Sequence, residues 1–183
     1  MNFCEDGTKM KTPSEIYPTN KGHMNFSLTR YILIDIDDIF VGKDRMTTGD
    51  VQALLESQNT LSKLIPGFRY DLGFSGGSFK LKSSTDEEKK ADTLLIENRH
   101  QFWWFPHMWT HLQPHIFTDE NYVDKSHYMT LEEHMNRNKE FAIEHDIPTG
   151  NQYSVSPHHS GVYPVHQLLY EVCIPLLNIY LPR

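Results

Sequence analysis

Three short stretches carry the residue types that could do chemistry. The first is Asp35, Asp37 and Asp38, at the end of an apolar run. The second is His107, His111 and His115, spaced four apart after Phe102-Trp103-Trp104-Phe105-Pro106. The third is Pro157-His158-His159. His107 and His111 are i and i+4, so on a helical turn they share one face and offer two imidazoles to one metal ion. Two neutral imidazoles with one carboxylate form a recurring catalytic metal set that leaves positions open for water and substrate. Such an ion brings the pKa of its water from 15.7 to about 7, and a second carboxylate beside it can take the proton. Asp37 and Asp38 suit that division of labour. The chemistry best served is hydrolysis of a stable carbonyl such as an amide. The plainer alternatives are that the histidines pack against their aromatic neighbours and that the acids cap a solvated strand end.

Three elements must bring these residues together. Tyr31–Asp38 reads as a strand, its branched apolar run suited to burial on both faces of a parallel sheet. Thr47-Thr48 caps a helix carrying Val51, Leu54, Leu55, Leu61, Leu64 and Ile65, stopped by Pro66-Gly67. Phe68–Phe74 alternates like a second strand, with Ser75-Gly76-Gly77-Ser78 as a loop. Thr85 with Glu88 and Thr130 with Glu133 are capping-box patterns for two further helices, the second ending near His145-Asp146. Phe102–Phe105 reads as a third strand, 152–155 as a fourth, and a last helix begins near Pro164. The order β-α-β-α-β-α-β-α predicts an α/β fold with a mostly parallel sheet, open or barrel-like. Trp103 and Trp104 are core candidates within the third strand.

The totals narrow the function classes. At 183 residues the chain can bury one core. A net charge of −7 argues against a general nucleic-acid binder. No apolar run is long enough to span a membrane, and residues 1–27 are polar, with no signal peptide; they read as a loose arm. Cys4 and Cys173 form no CxxC pair and no disulfide framework. Eleven histidines is a high count, concentrated in the second half. Lys80, Lys82, Lys89 and Lys90 read as a solvated loop or as a cationic track.

Several metal chemistries compete for these residues. The H-x3-H spacing is that of HExxH metalloproteases, but Met108 stands where their glutamate must be. Asp35-x-Asp37 resembles the start of haloacid-dehalogenase-like phosphatases and the DxD of glycosyltransferases, both of which would leave the histidines idle.

A closer resemblance covers Phe26 to Tyr170 in one collinear order. It is carried by Ile34–Lys43, Leu72–Gly76, Phe102–His115 and Pro157–His166. These stretches closely resemble the N-deacetylase domain of heparan sulfate N-deacetylase/N-sulfotransferases. The resemblance implies an incomplete, distorted (β/α) barrel of the polysaccharide-deacetylase type over 28–170. It implies removal of acetyl from N-acetylglucosamine in the heparan sulfate precursor, in the Golgi lumen. Carried over residue by residue, Asp37 would be the base. Asp38, His107 and His111 would hold a divalent metal, with zinc the expected ion, and His158, His159 and Tyr163 would shape the substrate side. The family's sulfotransferase domain and membrane anchor have no counterpart here, and a general-acid histidine is expected beyond the end of this chain. Residues 171–183 depart from the pattern. A truncated relative that binds glycan, or a partner along an exposed sheet edge, without turnover is the alternative.

Overall fold

A computed structural model describes residues 32–43, 45–149 and 154–176. The predicted arm at 1–27, the 152–153 half of the predicted fourth strand and residues 177–183 lie outside the described residues. The elements are β1 (Asp35–Ile39), α1 (Thr48–Leu64), β2 (Asp71–Phe74), α2 (Asp86–Glu97), β3 (Trp103–Pro106), α3 (Leu131–Glu144) and α4 (Gln167–Leu176). Short 3-10 turns at Gly76–Ser78, Arg99–Gln101, Pro114–Ile116 and Pro157–His159 punctuate the connections.

The helix starts follow from threonines. Thr47, Thr85 and Thr130 each accept from the amide three residues on, and Asp50, Glu88 and Glu133 each return a carboxylate to the capping residue. Each box satisfies two amides that the first turn would leave orphaned. α1 stops at Leu64, where Pro66 cannot continue it and Gly67 turns the chain at φ +79°.

The strands form one parallel sheet in the order β1-β2-β3. This is an α/β arrangement with the connecting helices expected of parallel strands. All four residues of β2 are buried. β1 departs from the sequence reading. It begins at Asp35 and forms an edge of the sheet among the described residues, with Ile32 and Leu33 exposed just before it. A branched apolar run suits any strand, but the strand with neighbours on both sides is β2. The Phe68–Phe74 strand also shortens, because the Gln58 side chain accepts from the Tyr70 amide and donates to the Phe68 carbonyl.

No fourth strand forms at Ser154-Val155. This segment reaches the end of β3 through side chains instead: Ser154 Oγ donates to the Pro106 carbonyl at 2.9 Å, and Val155 meets the His107 ring. The predicted last helix begins at Gln167, three residues later than expected.

The main core packs Phe40, Leu72, Phe74, Trp104 and Phe141 between sheet and helices. A second cluster joins Met108, Phe117, Leu131, Met135 and Leu169. Trp104 is buried, its indole N–H on the Arg99 carbonyl. Trp103 is only half-buried, beneath the Arg69 guanidinium at 4.7 Å. Among the described residues no helix is long and apolar enough to cross a membrane.

Candidate metal centre

The carboxyl ends of all strands in a parallel sheet lie along one edge, so β1 and β3, on either side of β2, deliver their last residues to that edge. At the end of β1 the register slips between Ile36 and Ile39. Asp38 takes a left-handed φ of 64° and Phe40 one of 72°. A left-handed conformation costs a non-glycine residue roughly 1–2 kcal/mol. Here the kink turns the Asp38 side chain toward β3 while Phe40 enters the core.

β3 extends its ladder by one residue, since the His107 amide donates to the Phe74 carbonyl at 2.9 Å. His107 is thereby held as rigidly as the strand and is buried. Its Nδ1 lies 2.8 Å from the Val155 carbonyl. A carbonyl only accepts, so Nδ1 carries the proton and Nε2 presents a lone pair. That lone pair faces Asp38 Oδ1 at 3.3 Å.

His111 arrives by a route that the spacing did not predict. The 107–111 segment is a turn and not a helix, with Met108 at φ 62° and His111 at φ 58°. The turn is fixed from behind. Gly77 N–H donates to the Trp109 carbonyl at 2.8 Å, and Ser75 Oγ donates to the His107 carbonyl at 2.8 Å. The result still brings the imidazoles together: the rings of His107 and His111 are 5.1 Å apart, and His111 Nε2 is 2.7 Å from Asp38 Oδ1. Burial lowers the His111 pKa below its ordinary value; the Asp38 charge opposes this, and His107 and His158 add to it. The shift favours the neutral imidazole, the form in which a histidine binds a metal.

One ligand atom from each of Asp38, His107 and His111 lies within 4.8 Å of the other two. The donor chemistry fits a divalent cation. The His107 lone pair and the Asp38 carboxylate are both electron-rich, and no backbone amide among the described residues donates to that carboxylate. A cation between them satisfies both.

The other predicted residues fall in two places. The Asp37 carboxylate passes over Gly73, where an added Cβ would stand 3.1 Å from Asp37 Oδ1 and 2.6 Å from the Phe105 ring. It is exposed and is not a member of the Asp38, His107 and His111 cluster. His158 packs its ring 5.6 Å from that of His111. It also lines a neighbouring cavity of about 340 Å³ with His159 and Tyr163. His158 and His159 are consecutive left-handed residues, at φ 54° and 53°. Left-handed non-glycine residues thus recur at the candidate site, where such backbone strain tends to concentrate.

A second trio, Asp124, His127 and His134, was not anticipated. Its chemistry differs. The Asp124 carboxylate accepts the amides of Ser126, His127 and Met129 at 2.7–3.1 Å, besides His134 Nε2 at 2.9 Å. Burial works against its charge, but these bonds outweigh burial and hold the carboxyl far below the usual range. A carboxylate already satisfied in this way is a loop anchor. The signal for it was present in the sequence: His134 and Asn138 are polar residues on the stripe of Leu131, Met135, Phe141 and Ala142, and both are fully buried. Asn138 donates to the Phe74 carbonyl and accepts from Gly76 N–H, tying α3 to the end of β2.

The chain matches the profile of the heparan sulfate-N-deacetylase deacetylase domain over residues 29–181. It is 51% identical over 157 residues to bifunctional heparan sulfate N-deacetylase/N-sulfotransferase 2 of Bos taurus, a match covering 85% of this chain and 16% of that protein. It is 51% identical over 158 residues to the human enzyme 3 (85% and 17%), and 51% identical over 150 residues to the Xenopus tropicalis enzyme 1 (81% and 16%). The chain thus spans a small part of the length of the curated relatives it matches.

Proposed function

Since the chain belongs to the heparan sulfate N-deacetylase deacetylase-domain family, we propose that it carries the metal centre of a hydrolase. This hydrolase removes N-acetyl groups from N-acetylglucosamine in the heparan sulfate precursor. The observation that carries the reading is the convergence of Asp38, His107 and His111, with the His107 tautomer set by the Val155 carbonyl. In this reading those three residues hold a divalent ion, zinc by the donor set. When bound there, such an ion polarises the amide carbonyl and brings the pKa of its water to about 7. Asp37, exposed beside the trio, takes the proton of the attacking water. His158, His159 and Tyr163 meet the sugar. The site lies at the carboxyl ends of parallel strands, as in barrel and open α/β enzymes. In this reading the sheet belongs to a polysaccharide-deacetylase-type barrel, and the reaction takes place in the Golgi lumen.

The test is metal content, measured by mass spectrometry on the purified chain. About one zinc per chain is expected, lost in His107→Ala and in His111→Ala. Unchanged stoichiometry in both variants would overturn the reading. Acetate release from N-acetylheparosan is the second measurement. A chain that binds zinc and the glycan but releases no acetate supports the alternative of a binding relative without turnover.

A further inference from the structure

The cavity beside the metal centre differs from its surroundings in charge. The chain carries −7, yet the described residues lining this cavity include no aspartate or glutamate, and they include four imidazoles, His115, His158, His159 and His166. His166 is committed elsewhere, its Nε2 donating to the Phe117 carbonyl at 2.7 Å and its Nδ1 accepting from the Leu169 amide at 3.2 Å. His115 is not. Its Nδ1 lies 2.6 Å from Ser160 Oγ, which also accepts the His115 amide at 3.3 Å. In the tautomer where the Ser160 hydroxyl donates to it, Nδ1 holds the ring's lone pair. Nε2 of His115 then carries a proton free to donate. The Ser160 loop is itself held, because Ser156 Oγ donates to the Ser160 carbonyl. On the same wall Tyr163 is 94% exposed, an aromatic face of the kind sugars stack on. His158 joins the cavity to the metal centre through its contact with the His111 ring.

We propose that this cavity is a uronate subsite: His115, with its tautomer set by Ser160, donates to the carboxylate of a uronic acid neighbouring the N-acetylglucosamine at Asp38, His107 and His111, and Tyr163 stacks on its ring. The inference rests on the deacetylase reading. It also gives a chain of net negative charge a local means of holding an acidic polysaccharide. Specificity for an alternating uronate–glucosamine chain over a neutral glucosamine polymer would then reside in His115 and not in the metal ligands.

The experiment is calorimetric titration of the purified chain with an N-acetylheparosan hexasaccharide and with the same oligosaccharide after reduction of its carboxyls to alcohols. The acid form is expected to bind roughly tenfold more tightly, the scale of one charge-assisted hydrogen bond. His115→Ala and Ser160→Ala should remove most of that preference while leaving the affinity for the reduced form and the metal content unchanged. His115→Gln, which keeps an N–H donor, should retain part of it. Equal affinities for the two oligosaccharides, equal loss for both in His115→Ala, or no binding of the acid form would each overturn the proposal. A carboxylate preference that persists in a chain failing the zinc test would leave the subsite standing and remove the hydrolase reading.

Discussion

His134 Nε2 donates to Asp124 Oδ2 at 2.9 Å, and neither side chain reaches solvent. This leaves His134 Nδ1 as an acceptor, and the Thr110 hydroxyl lies 3.3 Å from it. Thr110 directly precedes His111. Helix α3 and the Asp124 loop therefore steady the turn that carries a metal-ligand candidate. Burial lowers the His134 pKa, and the Asp124 carboxylate opposes this. Asp124→Ala strands three amides and the buried imidazole. It is expected to cost about 3 kcal/mol or more of stability in urea unfolding. Thr110→Val removes one long hydrogen bond and should cost about 1 kcal/mol. Both should weaken zinc binding without removing a ligand. Unfolding curves that overlay the unmodified chain's would show that the network carries nothing.

Gly77 supports the same turn from the other side. A Cβ there would stand 2.6 Å from the Trp109 carbonyl oxygen, and that oxygen accepts the Gly77 amide. The clash is with backbone and cannot be relieved by a rotamer change. Gly77→Ala should destabilise by about 1–3 kcal/mol and shift the 108–111 segment. Zinc affinity should fall by about tenfold or more, as it does when the supports of metal ligands are disturbed. Gly49→Ala is the control: in the first turn of α1 its Cβ meets nothing closer than Thr47 Oγ1 at 3.6 Å. Equal zinc affinity in the two variants would refute the assigned role of Gly77.

These two supports show where sequence reasoning reached and where it stopped. The helix starts were legible because Thr85 with Glu88 and Thr130 with Glu133 are local devices, complete within four residues. The β3 strand was legible from its aromatic run, and residue types at two strand ends pointed to a carboxylate beside His107 and His111; that Asp38 and not Asp37 stands there came from the family resemblance. The path of the 107–111 segment was not legible. The i, i+4 spacing suggested a helical turn, whereas Met108 and His111 adopt left-handed conformations that their side chains do not announce. Tertiary bonds from Gly77 and Ser75, more than thirty residues earlier, impose them. β1 was misjudged for a related reason, since an edge strand and a central strand can share one composition and differ only in their neighbours. The Asp124–His134 pair spans ten residues and a loop, with no local pattern linking the two.

The opposite end of the sheet carries a pH-sensitive pair remote from the chemistry. Asp35 and Asp71 are partners in the β1–β2 register, and Asp71 is buried, with no hydrogen bond to Oδ1. Burial first, and the Asp35 charge second, push the Asp71 carboxyl from 3.8 up to about 6, against the Leu72 amide. Between those values the folded chain holds a proton that the unfolded chain has released. The unfolded state binds fewer protons there, so stability falls as pH rises through the window. The contribution present below pH 3.8 is lost above about 6. The gap corresponds to about 3 kcal/mol as an upper scale. Asp71→Asn keeps the shape and cannot ionise. Its stability relative to the unmodified chain should rise by about 2–3 kcal/mol between pH 4 and pH 7.5 in urea unfolding. Asp35→Asn should produce a smaller rise by removing the second cause. If the Asp71→Asn and unmodified curves keep a constant offset across that range, Asp71 is ionised in the folded chain throughout, and the strand pair carries no such pH dependence.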